Sequence, residues 1–305
     1  MDRLDAMSIF VATAECGSFS AASRKLDVPL PTVSRKVSDL ETHLKTRLLI
    51  RSTRKLSLTE AGAAYLSACK RILDEVGNAE RMASGEFAAP RGELVLTAPI
   101  VFGRLHVLPV VSEFLAEYRE IDVKLVLSDR NLPLIDDQID MAVRIGALPD
   151  SGLVATRVGS VTRVVCASPA YLESNGTPKS PADLEQLPCV TFEAFASASA
   201  WTFAAADAGR SQIVHVRARL TVNTAEAAID AAISGVGLVQ VLSYQSAQAE
   251  QQGKLIRVLR KFEREPLPVQ LVHAGQGQLP LKLRAFLDFA QPRLKVALGD
   301  RRARR

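Results

Sequence analysis

The most constraining feature of this chain is residues 18–54, in which two short amphipathic segments joined by a tight turn precede a basic loop. In the second segment the apolar residues recur at spacings of four, three and four, namely Val33, Val37, Leu40 and Leu44. Residues with this spacing lie on one face of a helix. The pattern predicts a helix-turn-helix followed by a wing, in which the second helix enters the major groove of DNA.

The outward face of the predicted second helix carries one arginine and small polar side chains, which suits double-stranded DNA. Arg35 can donate a bidentate pair of hydrogen bonds to guanine, and the hydroxyls can reach base edges or phosphates. Ser18 is placed to cap the preceding helix, whose free amides can hold a phosphate. We predict these DNA contacts: Ser18, Ser20, Leu30, Pro31, Thr32, Ser34, Arg35, Ser38, Arg51 and Arg54.

Residues 1 to about 60 resemble the DNA-binding domain of LysR-type transcriptional regulators. The matching residues are Ser18-Phe19-Ser20-Ala21-Ala22, Val33-Ser34-Arg35, Leu40-Glu41, Leu44, Arg47-Leu48, Arg51, Arg54 and Leu58-Thr59-Glu60-Ala61-Gly62. The sequence departs from the family at Pro29 and Leu30, which replace a capping serine and a glutamine, and at Lys45 and Leu49, which replace a glycine and a phenylalanine. Leu30 can touch a thymine methyl group but cannot donate a hydrogen bond. The alternative, an ordinary three-helix bundle, does not require the basic run that follows.

Basic charge is concentrated at the two ends of the chain. Residues 1–58 hold ten lysines and arginines against six acids, whereas residues 59–299 hold twenty-four against twenty-six. Residues 300–305 add four arginines and one aspartate, which completes the net charge of +5. A basic head on a near-neutral body is typical of a DNA-binding protein. For the basic tail, a solvated charge run is favoured over a phosphate-binding role.

Length and composition favour a cytoplasmic protein of two or three compact units. The chain has 305 residues, of which 48% are hydrophobic. It contains no run of about eighteen apolar residues, and its acidic N-terminal segment does not resemble a signal peptide. The cysteines lack metal-type spacing and are expected to be reduced core residues: Cys16, Cys69, Cys166 and Cys189.

A long helix is predicted from Thr59 to about Gly85, followed by a hinge over residues 86–91. Its apolar residues alternate four and three positions apart and form a coiled-coil-like seam. A rod of some twenty-five residues, about 35–40 Å long, has little of its own chain to pack against. The resemblance implies the same linker helix. We predict dimerisation through Tyr65, Cys69, Ile72, Val76 and Ala79; the alternative is packing onto the chain's own body.

From Gly92 onward, strand-like apolar runs alternate with helical patterns, which favours an α/β domain with largely parallel sheets. The predicted strands are Leu94–Ala98, Val123–Leu127, Met141–Ile145, Arg163–Ala167, Val190–Phe192, Ile213–Val222, Gly237–Leu242 and Pro268–His273. The predicted helices include Val101–Tyr118, Thr224–Ser234 and Leu281–Val296.

This region resembles the LysR effector-binding domain, whose fold is like that of periplasmic binding proteins. The matching residues are Gly92-Glu-Leu-Val-Leu-Thr-Ala-Pro, Leu108-Pro109, Phe114, Asp140-Met-Ala-Val-Arg-Ile-Gly146 and Gly235-Val-Gly237-Leu238. The resemblance implies two α/β subdomains with a ligand cleft between them, and crossovers near Gly159-Ser160 and Glu265-Pro266.

The predicted fold class is therefore α/β overall. It combines an N-terminal all-α winged helix-turn-helix, a long linker helix and a C-terminal α/β domain of two subdomains. We place the DNA-binding domain at residues 1–58, the linker and hinge at 59–89, the effector-binding domain at 90–299 and the basic tail at 300–305. Within the effector-binding domain, subdomain I covers about 90–160 and 267–299, and subdomain II about 161–266.

Ligands of open α/β sheets bind outside the carboxyl ends of strands, often at helix N-termini. We therefore predict these effector contacts: Pro99, Ile100, Val101, Phe102, Ser128, Gly146, Trp201, Asn223 and Thr224. Packing for Trp201, and capping for the last two, are open alternatives. The helix that begins near Val101 is expected to offer unpaired amides, which favour an anionic ligand. Arg130 and Arg144 lie near strand ends and can add positive charge, which Asp129 opposes.

The sequence offers little support for catalysis. It contains no G-x-S-x-G, H-E-x-x-H, C-x-x-C or Walker motif, and we predict neither a cofactor nor a metal. The leading interpretation is a LysR-type transcription regulator, a homodimer or homotetramer, whose partners are operator DNA, a small organic effector and RNA polymerase. The alternatives are a small-molecule-binding enzyme fused to a DNA-binding head, and an architectural DNA-binding protein without a ligand.

Overall fold

The chain divides into two compact units, residues 1–92 and 93–305. The computed structural model describes residues 2–51, 56–83, 89–148, 152–192, 199–204, 211–275 and 279–299. Each unit has its own hydrophobic core. Within the described ranges, no helix is both long and apolar enough to cross a membrane.

The N-terminal unit is a helical bundle with a two-stranded wing. Its elements are α1 Arg3–Cys16, α2 Phe19–Leu26, α3 Leu30–Leu44, β1 Leu49–Arg51, β2 Leu56–Leu58 and α4 Glu60–Ala83. The apolar faces of α1, α2 and α3 meet around Phe10, and Val33, Val37 and Leu40 of α3 are fully buried there. Burial of such side chains contributes about 1.5–3 kcal/mol each. The predicted end of the long helix near Gly85 lies outside the described residues.

Capping determines where the first helices begin and end. The side chain of Asp2 caps α1, and that of Ser18 caps α2. By contrast, α3 begins after Pro29 without a side-chain cap. It ends at Lys45, where φ is 52°, in a left-handed conformation that glycine adopts most readily.

The C-terminal unit is built from strands and helices in alternation. Its first part comprises β3 Gly92–Ala98, α5 Ile100–Phe102, a π-helical turn Gly103–Val107, α6 Leu108–Glu117, β4 Ile121–Leu127, β5 Met141–Ile145 and β6 Leu153–Val161. Its middle part comprises β7 Arg163–Ala167, α7 Pro169–Asn175, a 3-10 turn Pro181–Glu185, β8 Pro188–Phe192, β9 Ala200–Ala204, β10 Ser211–His215, β11 Arg217–Val222 and α8 Ala225–Ile233. The remainder comprises β12 Leu238–Leu242, α9 Ser243–Gln251, β13 Ile256–Val258, a 3-10 turn Arg260–Phe262, β14 Leu267–Ala274 and α10 Leu281–Ala297.

These strands form two five-stranded sheets, with strand orders β4-β3-β5-β14-β6 and β11-β8-β12-β7-β13. In the first sheet β3 and β5 are parallel, whereas β14 is antiparallel to β5 and β6. In the second sheet β8 is parallel to β11 and β12, whereas β7 is antiparallel to β12 and β13. The prediction of largely parallel sheets is therefore wrong. The strands beside the two crossings between the sheets are the antiparallel ones, namely β6, β7 and β14.

The predicted strand Ile213–Val222 is two strands. β10 pairs with β9 in a separate antiparallel hairpin, whereas β11 forms an edge of the second sheet. Each of the other predicted strands corresponds to an observed one, but β6, β9 and β13 were not predicted. The alternation of buried and exposed residues continues from Val214 to Val216, so the pattern does not mark the change of sheet.

Separate cores lie against the two sheets. On the first sheet, Phe114 of α6 packs edge to face against Phe286 and Phe289 of α10. On the second sheet, α8 and α9 cover a core that includes Cys166 and Val190. Burial raises the pKa of the Cys166 and Cys189 thiols to about 12, so both remain protonated and unreactive at neutral pH.

Candidate DNA-binding surface and effector cavity

The recognition helix α3 separates a buried face from an accessible one. The predicted DNA contacts on α3 are all exposed or half-buried: Leu30, Pro31, Thr32, Ser34, Arg35 and Ser38. Arg35 is the one arginine among them, and its guanidinium is exposed. Leu30, at the first position of the helix, is 42% exposed. It presents an apolar surface at the position where the family usually has a glutamine. The accessible face therefore has the chemistry of a groove-reading surface.

The N-terminal end of α2 brings two predicted contacts together. The Ser18 hydroxyl oxygen accepts a hydrogen bond from the Ala21 amide at 3.4 Å. Ser20, in the first turn, is exposed. The positive end of the helix dipole lies here and favours a phosphate.

The wing is attached to α3 through one carboxylate. Glu41 Oε1 accepts hydrogen bonds from the amides of Leu48 at 2.7 Å and Leu49 at 3.0 Å. β1 then pairs antiparallel with β2, with Arg51 opposite Leu56. The side chain of Arg51 and the whole of Arg54 lie outside the described residues. The structure therefore gives only the backbone position of Arg51, at the end of β1.

A close approach between the wing and α4 explains why glycine stands at position 62. A Cβ atom on Gly62 would lie 1.9 Å from the carbonyl oxygen of Leu48. Thr59 caps α4 by accepting a hydrogen bond from the Gly62 amide at 2.8 Å, and it donates to the carbonyl of Arg47 at 2.8 Å. The Leu58–Gly62 motif therefore fastens the linker helix to the wing.

The predicted dimerisation seam is divided between two environments. Cys69 is fully buried in the core of the head, and the ring of Tyr65 lies 5.8 Å from that of Phe10. These two side chains pack within their own chain, which is the alternative that the sequence left open. Ile72 is 41% exposed, Ala79 is exposed and Val76 is half-buried. The accessible part of the seam is therefore its C-terminal half.

A cavity of about 170 Å³ lies in the C-terminal unit, between the edges of its two sheets. Its walls come from the ends of β3, β4 and β5 on one side, and from β7, β8, β12 and α9 on the other. The lining residues are Thr97, Ala98, Pro99, Ser128, Asp129, Arg130, Asn131, Leu132, Ala142, Val143, Arg144, Ile145, Arg163, Phe192, Leu242, Tyr244, Gln245 and Leu267.

Of the predicted effector contacts, Pro99 and Ser128 line this cavity. Val101 and Phe102 are buried in different cores, and Trp201 is 4% exposed in a third. The side chains of Val101 and Phe102 turn away because the chain after Pro99 continues as α5, which packs against both of these cores. Among the others, Ile100 contributes its amide to an internal hydrogen bond, and the carbonyl of Gly146 accepts from Gln270. Asn223 is exposed and Thr224 caps α8, as the alternative interpretation held.

The cavity has an excess of positive charge. Arg130, Arg144 and Arg163 line it, and the acidic side chain among its described residues is Asp129. Arg144 Nη2 donates to the carbonyl of Leu132 at 2.9 Å, which fixes the orientation of its guanidinium. Burial, together with the charge of Arg264, lowers the pKa of Arg163. Such a site favours a ligand with at least one anionic group.

Asp129 occupies the start of the helix that was expected to hold an anion. One of its carboxylate oxygens accepts a hydrogen bond from the Ile100 amide at 3.1 Å. The first amide of that helix is therefore already bound, so the expectation of unpaired amides is wrong for Ile100. Burial raises the pKa of Asp129; the bond to Ile100 opposes that shift, and the charge of Glu226 adds to it.

Sequence reasoning missed Arg163, Tyr244 and Gln245. The last two follow β12 directly, so the rule that ligands bind at the carboxyl ends of strands points to them. Arg163 begins β7 at a crossing between the sheets, and no comparable signal marks it. Among the described residues, no group of three histidines, cysteines or acids is arranged to hold a metal ion.

Two family models match the chain. The model described as "Bacterial regulatory helix-turn-helix protein, lysR family" matches residues 4–63, and "LysR substrate binding domain" matches residues 88–295. Together they match residues in both compact units.

Named relatives and a solved structure agree with these matches. An HTH-type transcriptional regulator of Xanthomonas campestris is 37% identical over 94% of this chain and 84% of its own length. The HTH-type transcriptional activator AaeR of Escherichia coli is 31% identical over 94% of this chain and 93% of its own. The structure of CrgA, a LysR-type regulator from Neisseria meningitidis, has a TM-score of 0.61 and 32% identity, covering 97% of this chain and 98% of that one. The relatives are named as regulators, not as enzymes. This protein belongs to the LysR family of transcriptional regulators and combines a helix-turn-helix DNA-binding domain with an effector-binding domain.

Proposed function

We propose that this chain is a cytoplasmic, homodimeric or homotetrameric regulator that binds operator DNA through α3 and the wing. A small anionic molecule, bound in the cavity between the two sheets, controls it, and RNA polymerase is the partner through which it acts. The observation that carries the proposal is a cavity with three arginines and one aspartate in a chain that also has a helix-turn-helix.

The DNA-binding part of the proposal rests on the accessible face of α3. Arg35 reads a guanine, Thr32 and Ser34 reach neighbouring base edges or phosphates, and the wing arginines contact the backbone or minor groove. Two heads joined by paired linker helices would meet half-sites about 34 Å apart, or a multiple of that distance.

The arginine side chains that line the cavity, and not the helix amides near Val101, support the preference for an anionic ligand. A carboxylate that reaches Arg144 finds a guanidinium whose position is already fixed by Leu132. Binding regulates the protein only if the ligand favours one placement of the two halves, because a ligand with equal affinity for both placements shifts nothing.

The test is calorimetry on the full chain with a panel of small acids, combined with gel-shift titration of the DNA beside its gene. Arg144→Gln should weaken the binding of any acid that binds the wild type by about tenfold or more. Arg119→Gln is the matched control, since Arg119 is exposed and does not line the cavity. Equal losses in both variants, or no loss in Arg144→Gln, would place the effector elsewhere.

A further inference from the structure

The Asp129 side chain is only half satisfied. Its Oδ1 atom accepts the hydrogen bond from Ile100, whereas Oδ2 is buried and has no hydrogen-bond partner among the described residues. A buried, unpartnered acceptor costs about 1–3 kcal/mol, and more when it is charged. Such an atom in a cavity wall is therefore a place where a ligand can contribute a missing donor.

The same carboxylate acts against simple acids. It already holds the Ile100 amide, so a ligand carboxylate cannot take that donor, and its negative charge repels a second anion placed beside it. The anionic group of a ligand is thus directed to the arginines that line the same cavity. The part of the ligand next to Asp129 must be neutral or positive.

The surrounding charge decides between those two. Arg130, Arg144 and Arg163 line the same small space, so an ammonium group beside Asp129 would be repelled by three guanidinium groups and attracted by the carboxylates of Asp129 and Glu226. A neutral hydroxyl donates a hydrogen bond without this cost. The cavity volume of about 170 Å³ is close to the ~150 Å³ that holds one benzene molecule in another protein, so a ligand of that size fits.

We propose that Asp129 makes the cavity selective for small hydroxy acids, whose carboxylate binds the arginines while the hydroxyl donates to Asp129 Oδ2. The inference rests on the proposed anionic effector and adds its second functional group. Because Oδ2 is buried, the carboxylate turns slightly to meet the ligand, a side-chain adjustment common on binding.

The test is calorimetry at pH 7.5 on the full-length protein with matched acids. The probes are butanoate, 2-, 3- and 4-hydroxybutanoate and 2-aminobutanoate, together with benzoate, the hydroxybenzoates and their methyl ethers. At least one hydroxy acid should bind ten- to hundredfold more tightly than its unsubstituted parent, because a hydrogen bond to a charged acceptor is worth roughly that factor. Its methyl ether, which accepts but does not donate, should bind as weakly as the parent.

Asp129→Asn is the informative variant. Its amide oxygen can still accept from Ile100, while its NH₂ group replaces the unpartnered acceptor by a donor. In this variant the preference for the hydroxy acid over its methyl ether should fall about tenfold. Asp122→Asn, the same change at an exposed position of β4, should leave the preference intact.

The outcomes separate the two proposals. If parent and hydroxy acids bind equally well, if 2-aminobutanoate binds best, or if Asp129→Asn keeps the full preference, the hydroxyl selection is wrong and the anionic effector stands. If none of the acids binds to the wild type or the variant, the anionic effector is wrong and the selection by Asp129 falls with it.

Discussion

Glu41 on the recognition helix accepts a hydrogen bond from the amide of Leu48 at 2.7 Å, across the turn that leads into the wing. The same oxygen accepts a second bond from Leu49, so one carboxylate fixes the start of β1. The predicted recognition helix α3 and strand β1 are thereby held in one arrangement.

We expect Glu41→Ala to lower the free energy of unfolding by about 1–3 kcal/mol, because it leaves two amides without their acceptor. DNA binding should weaken as well, since β1 no longer positions the wing. Glu41→Gln keeps an acceptor oxygen and should retain most of both. Urea unfolding and gel-shift titration measure the two effects. If the alanine and glutamine variants behave alike, the carboxylate does not position the wing.

Arg35→Ala should lose about 1–3 kcal/mol of operator binding and relax specificity at one base pair. His43→Ala provides a control on the same helix, because His43 is exposed and does not belong to the predicted contact set. Gel-shift titration with the operator and with single-base variants distinguishes reading from general attraction. An Arg35→Ala protein that binds as tightly and selectively as the wild type would show that another residue reads the base.

Lys45→Gly should raise the free energy of unfolding by up to about 1 kcal/mol. Lys45 ends α3 in a left-handed conformation. The Thr46 amide donates to the backbone carbonyl of Glu41, and the Lys45 amide donates to the backbone carbonyl of Thr42, as in a Schellman motif. A non-glycine residue there is strained by about 1–2 kcal/mol, which exceeds the entropy that glycine costs on folding.

The control for Lys45→Gly is Asp39→Gly. Asp39 is exposed and lies in the middle of α3, where glycine should destabilise the protein by about 0.5–1 kcal/mol. Thermal unfolding of the three proteins provides the comparison. A fall in stability in both variants would mean that Lys45 contributes more through its side chain than its conformation costs.

Charged substitutions at the accessible part of the seam should weaken self-association. Ile72→Asp with Val76→Asp would place two carboxylates in the predicted contact between linker helices, and DNA binding should weaken in parallel. Ser67 is exposed on the side of α4 opposite Ile72 and Val76, so Ser67→Asp should leave assembly unchanged. Sedimentation across a concentration series gives the result. An unchanged assembly in the double variant would assign dimerisation to another surface.

The DNA-binding head was predictable because local spacing determines it. The spacing of Val33, Val37 and Leu40 in the sequence predicts one buried helix face, and all three are buried on α3. The two strands of the wing follow α3 directly in the chain. The seam was less predictable, because periodicity shows that Cys69 faces something apolar without showing whether that surface belongs to the same chain.

The cavity was predictable only in its position. The rule on strand ends located Pro99 and Ser128, and it places Tyr244 as well once β12 is recognised. Side-chain direction was not available from the pattern, so Val101 and Phe102 were assigned to a ligand although they pack in cores. The bond from Ile100 to Asp129 joins residues 29 positions apart and depends on how β3 and β4 lie beside one another. Local sequence carries no signal for such a contact.

Asp129→Asn should stabilise the protein at neutral pH. Burial raises the pKa of Asp129 above its ordinary value near 3.8, so the folded protein binds this proton more tightly than the unfolded chain does. The contribution of Asp129 to stability is therefore fully present below the ordinary pKa, and it is lost as the pH rises through the raised one. At pH 7.5 the wild type carries the cost of a buried charge, which asparagine does not have.

The midpoint of thermal unfolding should thus be higher for Asp129→Asn than for the wild type at pH 7.5, and the difference should shrink as the pH is lowered toward 4. Asparagine can keep the bond to Ile100, so the comparison isolates the charge on the second oxygen. Asp122→Asn, at an exposed site on β4, is the control and should change the midpoint little at either pH. A variant that is less stable than the wild type at pH 7.5 would mean that the charge strengthens the bond to Ile100 by more than its burial costs.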